Sequence, residues 1–104
     1  MRFSTDYGNV LTGDTVMLTI SFYNNIDEMQ TVTSPKLNVY DCDNVVIGTE
    51  IDLSSYNTAT GLYIYKYTMS ESKLGEIKFI ASGVGIDGKT YKCTAFVNNQ
   101  LYDD

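Results

Sequence analysis

The residues of this sequence that could do chemistry are thirteen carboxylates, two cysteines and a run of glycines, with no histidine among its 104 residues. Without imidazole the commonest general base is missing, and the familiar nucleophile triads and imidazole-based metal sites go with it. Asp27-Glu28 and Asp103-Asp104 are neighbours in sequence, whereas paired acid-base work needs carboxyls opposed across a cleft, so these predict solvated charge. Asp41, Asp43 and Asn44 gather oxygens, but calcium takes about six to eight, and the segment lacks the spacing, central glycine and terminal glutamate of an EF-hand loop. Asp and Asn bond their own main chain readily, so these residues predict a turn. The glycines of GVGIDG (83–88) precede a strand pattern rather than a helix, which removes the geometry of a phosphate cradle. The sequence therefore predicts no enzyme, no metal site, no cofactor and no small-molecule substrate.

The elements that carry these residues read as strands. Nine tyrosines, twelve threonines and a single proline favour a pleated, half-buried surface. In VMLTISFY, Val16, Leu18, Ile20 and Phe22 alternate with polar or ambiguous residues at a period of two. Pro35 fits a strand start or an edge, since it cannot donate to a ladder. KLNVYD follows with Leu37 and Val39 inward, then the turn Asp41–Asn44 and VVIGT as its partner strand. IDLSSYNTATG reads as a crossing loop with at most one short strand, ending at Gly61.

The stretch from Gly61 to Gly85 holds two alternating patterns about a polar connector and reads as a hairpin. Its first strand puts Tyr63, Tyr65, Tyr67 and Met69 on the core side, with Leu62, Ile64, Lys66 and Thr68 opposite. Its second puts Ile77, Phe79 and Ala81 inward and Ile80 outward. After a turn at Asp87-Gly88, TYKCTAFV places Tyr91, Cys93, Ala95 and Val97 on one face. Residues 1–11 read as an N-terminal arm that pairs with a sheet edge in the same molecule or in the next one, and 99–104 as a frayed acidic tail.

A chain of this length with 43% hydrophobic residues builds one core, hence one domain over 1–104. Its net charge of −6 disfavours nucleic acid and anionic membrane as partners. No apolar run approaches the roughly 20 residues that cross a bilayer, and MRFSTDYGNVLTGD lacks the apolar segment of a secretion signal. A chain that starts at its own Met in this way is expected to stay in the cytoplasm that made it. Cytoplasmic thiols stay reduced, so Cys42 and Cys93 are expected as free thiols, the first at the surface and the second packed as a small hydrophobe.

Five segments together carry a family resemblance: TGDTVMLT (12–19), VYD with a polar turn and VV (39–46), TGLYIYKYT (60–68), GEIKFIASG (75–83) and a closing strand. The chain resembles the small immunoglobulin-like or macroglobulin-like sandwiches of bacterial surface proteins and of tailed-bacteriophage structural modules. The resemblance implies an immunoglobulin-like sandwich of about seven antiparallel strands. It further implies a virion component, made and assembled in the host cytoplasm, that contacts capsid, portal or tail proteins and copies of itself. A binding or spacer module of a bacterial surface protein is the alternative. DGKTYKC (87–93) looks like the cysteine strand of immunoglobulins, with Tyr91 two residues before Cys93. The glycine is out of register, there is no tryptophan, Cys42 falls in a turn, and TYKCTAFV is the last strand rather than the second-last.

With chemistry set aside, function falls to surfaces. Leu62, Ile64 and Ile80 lie opposite the assigned core, and Phe3 and Tyr7 lie on the arm. These five form the candidate partner surface, with Met17 and Tyr23 as further outward positions.

Overall fold

Alternation of a buried apolar phase with an outward phase drives both sheets. The computed structural model describes residues 2–5, 9–24, 26–69 and 74–100. Nine strands run through them: β1 (Arg2–Thr5), β2 (Asn9–Leu11), β3 (Thr15–Ser21), β4 (Thr33–Tyr40), β5 (Ile51–Asp52), β6 (Asn57–Ala59), β7 (Leu62–Thr68), β8 (Gly75–Val84) and β9 (Thr90–Gln100). One sheet has the order β1-β3-β7-β6 and the other β2-β9-β8-β4-β5. Every pairing is antiparallel except β2 with β9, which is parallel. The fold is an all-β sandwich.

The core lies where the two inward phases meet. Val16, Leu18, Ile20 and Phe22 come from β3 and its end, Leu37 and Val39 from β4, Ile77, Phe79 and Ala81 from β8, and Val97 from β9, all buried. Burying one such aliphatic or aromatic side chain contributes about 1.5–3 kcal/mol, enough for a handful of them to set the register of every strand. Edge-to-face aromatic pairs tie the core: Phe22 meets Tyr63 at 5.7 Å on the side of the four-stranded sheet, and Tyr67 meets Phe79 at 5.2 Å across the two layers. The inward assignments of Tyr63, Met69, Ile77, Phe79 and Ala81 agree with this packing, while Tyr65 and Tyr67 are half-buried against it.

Nine strands replace the expected seven for local reasons. The arm pairs within its own domain and splits in two, β1 against β3 and β2 against β9. The segment read as a crossing loop contains β5, a 3-10 turn at Ser54–Tyr56 and β6, anchored by the fully buried Leu53. VVIGT, expected as a partner strand, is reduced to a single bridge between Tyr40 and Val46. The tail begins later than expected, because β9 runs on through Asn99 and Gln100; residues 101–104 lie outside the described ones.

Pro35 sits neither at a strand start nor on an edge. It lies within β4, flanked by β8 and β5, at a register shift between Thr33 and Lys36 where Ser34 takes φ 51. A bulge relieves the ladder of one N–H, which is what an interior proline requires.

The hairpin expected from Gly61 to Gly85 does not form. β7 belongs to the four-stranded sheet and β8 to the five-stranded one, so the connector crosses between layers. Both strands must bury an aromatic phase, and facing each other across the core lets Tyr67 and Phe79 do so together. Gly61 marks the entrance to β7. Its φ is +69, and an added Cβ would press on the Gln30 carbonyl oxygen and lie 3.0 Å from that of Phe22, so only glycine fits.

Candidate binding surface

The polar side chains that might have done chemistry turn the chain instead. The Asp41 carboxylate accepts the N–H groups of Asp43 (2.9 Å) and Val45 (3.0 Å), and Asn44 takes φ 63. Asn24 repeats the scheme, its side-chain oxygen accepting the N–H groups of Ile26 and Glu28 while Asp27 takes φ 63. A third loop, 85–89, closes with the same backbone bonds, Gly85 N–H to Lys89 and Gly88 N–H to Gly85, and Gly88 supplies the positive φ. This is a type I turn followed by a left-handed residue, a common hairpin closure. Among the described residues no group of three or more His, Cys, Asp or Glu could hold a metal ion.

A cleft of about 340 Å³ lies beside β4 and β5, lined by Ser34, Pro35, Lys36, Glu50, Asp52 and Ser54. Lys36 pairs with Glu50 at 3.5 Å. The Ser54 hydroxyl and N–H both donate to Asp52, and these bonds hold that carboxyl below its ordinary range. A carboxylate so stabilised is a weak base for activating the serine it binds.

Cys42 and Cys93 are free, the first exposed in its turn and the second half-buried against the core. Desolvation pushes the Cys93 thiol up to about 11, which keeps it protonated and unreactive near neutral pH.

The five candidate surface residues do not meet in one place. Leu62 and Ile64 are half-buried on the outward side of β7, across from Ser21 and Thr19. Ile80 is half-buried on the outward side of β8, in the other sheet and on the opposite flank of the sandwich. Phe3 pairs in register with Ile20, and Tyr7 lies outside the described residues. Met17 is exposed on β3, whereas Tyr23 is half-buried and bridges to Met29.

Around Ile80 the register builds a regular array. Three rows cross β4, β8 and β9: Lys36, Ser82 and Lys92; Asn38, Ile80 and Thr94; Tyr40, Lys78 and Phe96. From strand spacing and rise the array measures roughly 10 by 14 Å. Phe96 is 51% exposed. The Lys78 ammonium lies 5.1 Å from the Tyr40 ring centroid and donates to Asn44 Oδ1 at 2.6 Å, which fixes a cation beside that ring. The nine positions hold three lysines and no acid; the carboxylates of this face, Glu50, Asp52 and Glu76, stand at its border. Sequence reading passed over Phe96, although a large aromatic between the inward Ala95 and Val97 had to point outward.

One end of the sandwich carries a second apolar feature. Thr33 pairs with Val84, so the loop before β4 and the loop after β8 lie side by side. Gln30 joins them, donating to the Tyr23 carbonyl and lying against Gly85 and Tyr91. At their tips are Ile26 and Ile86, 68% and 89% exposed, the two most exposed large apolar side chains among the described residues. Asp27, Glu28 and Asp87 flank them. Tyr91 donates to Asp87, and that bond, with one from the Lys89 N–H, holds the Asp87 carboxyl below its ordinary range. Both isoleucines are lone apolar residues inside polar turn segments, a signal that the sequence carries openly.

Set against known proteins, the chain matches no family model, no curated protein and no solved structure. Its class rests on its own geometry: a β-sandwich with an aromatic and cationic sheet face and an apolar, acid-flanked loop end.

Proposed function

We propose that this chain is a non-enzymatic structural protein acting through protein–protein contacts, and that it serves in the virion of a tailed bacteriophage as a capsid decoration, neck component or tail accessory. One observation carries the contact reading. Asn24, Asp41, Asp52 and Asp87 are engaged in local bonds, while a rigid sheet face turns Tyr40, Ile80 and Phe96 toward solvent around Lys78. Aromatic residues on an ordered face suit docking, since they bring large contact area at little entropic cost.

Strand order supports the immunoglobulin-like part of the reading. Lettering β1, β3, β7 and β6 as A, B, E and D, and β9, β8 and β4 as G, F and C, reproduces the two sheets of an immunoglobulin sandwich. The virion assignment rests on the motif resemblance of segments 12–19, 39–46, 60–68 and 75–83. A particle repeats one contact many times, so modest single contacts sum to a stable shell.

Mass spectrometry of purified particles, with labelling to locate the copies, is the test. Detection as a stoichiometric component is the expected result, and a product absent from particles overturns the assignment. Genomic neighbours give a second readout: capsid and tail genes fit the proposal, whereas one long reading frame with a signal and an anchor fits a surface-protein module.

A further inference from the structure

We infer that the protein binds a second copy of itself head to face, the loop end with Ile26 and Ile86 seating on the neighbour's outward face of β4, β8 and β9. The inference deepens the contact reading and rests on it, but not on the virion.

Charge selects this geometry from the alternatives. With a net charge of −6, two copies repel on average. A two-fold contact through the loop ends would oppose Asp27, Glu28 and Asp87 to their own copies, and one through the sheet faces would gain no net attraction, since Glu50, Asp52 and Glu76 at the border already match the three lysines and Lys36 pairs with Glu50. The head-to-face contact instead brings three carboxylates, accompanied by Lys89 alone, toward the array that holds Lys78 and Lys92. Apolar surface matches as well. Ile26 and Ile86 project from loops closed by backbone hydrogen bonds, and Ile80 and Phe96 offer a ridged apolar floor between the lysines. Each copy keeps one loop end and one face free for the next, so the contact is heterologous and builds rings or filaments rather than closed dimers.

Two single variants test this on purified protein by analytical ultracentrifugation up to millimolar concentration, in low and moderate salt. Wild type is expected to self-associate beyond the dimer and to weaken as salt rises. Ile86→Glu and Phe96→Glu should each weaken association tenfold or more, with unchanged circular dichroism and melting temperature because both side chains are exposed. Mixed in equal amounts, the two variants should form a one-to-one dimer and nothing larger, since one intact loop end and one intact face remain between them. A wild type that stays monomeric overturns the inference, as do variants that associate normally or a mixture that yields no dimer. A monomer found in purified particles would sink the self-contact alone; a self-associating protein absent from particles would sink the virion assignment alone.

Discussion

β7 and β8 follow one another in the chain with nearly the same alternating pattern, yet they end in different sheets with different duties. β8 is central, paired with β9 over ten residues and with β4 on its other side, and its inward residues Ile77, Phe79, Ala81 and Gly83 are all buried. β7 has β3 on one side and only the three-residue β6 on the other, and its inward Tyr65 and Tyr67 stay half-buried. Outward, β8 sits in the array around Ile80. β7 instead carries Leu62 and Ile64 among hydroxyls, with Thr68 bonded to Thr15 across the strands at 2.9 Å. Flanking strands, not the pattern itself, decide how much of a strand is core and what its outer side can offer.

The contrast can be broken most directly at the aromatic pair. Phe79→Ala should destabilise by about 3–5 kcal/mol, as expected for a large side chain lost from a closed core. Tyr67→Ala should lose clearly less, since solvent already reaches it. Urea denaturation measures both, and equal losses would make β7 as central as β8. Next in size is Gly83→Ala on β8. A Cβ there would stand 2.6 Å from Val32 Cγ2 and 3.3 Å from Phe22, so overpacking should destabilise by about 1–3 kcal/mol. A neutral result in the same denaturation series would show that Val32 yields.

The outer faces give smaller stability effects and a sharper functional one. Ile64→Lys and Ile80→Lys should each shift stability by no more than about 1 kcal/mol. Only Ile80→Lys should weaken self-association in the centrifuge; equal weakening by both would erase the difference between the faces.

Smallest is the response to pH, which separates the strands by direction. Burial raises the phenols of Tyr63 and Tyr67 above their usual value near 10, with Tyr65 adding to the second. A raised folded pKa favours the fold below the unfolded value and loses that contribution as pH rises through the folded one, so β7 contributes to an alkaline limb, as does Tyr91 of β9, whose phenol its bond to Asp87 raises. Asp87, lowered chiefly by its bond from Tyr91, acts oppositely. Its contribution is present above the unfolded value near 4 and is lost as pH falls through the folded one. Melting curves across pH should show Tyr67→Phe flattening the alkaline limb and Asp87→Asn the acid limb; an unchanged limb in either variant removes that residue from the account.

Alternation alone made the inward sides of β3, β4, β7, β8 and β9 legible, because burying one phase of a strand fixes the other. Turns at 41–44 and 87–88 were legible too, since Asp, Asn and Gly carry their backbone preferences with them. Which strands share a sheet was not: the polar connector after β7 suits a hairpin and a crossing equally, and only the meeting of Tyr67 with Phe79 decides. For the same reason Leu62, Ile64 and Ile80 looked like one patch and lie on two opposite flanks. Phe96 acquires meaning only from Lys78 and Tyr40 beside it, a neighbourhood created by long-range register.

The pairing of β2 with β9 has a consequence in time. β1 finds its partner β3 soon after both are synthesised, but β2 pairs with residues 98–100, near the far end of the described chain. At the usual pace of synthesis that partner arrives roughly 5–20 s later. Until then β2 waits while the five-stranded sheet lies open along the edge of β8. β2 is therefore the latch that closes last, and because its pairing also spans the most chain, pulsed hydrogen exchange during refolding should find the amides of residues 9–11 protected after those of β3 and β8.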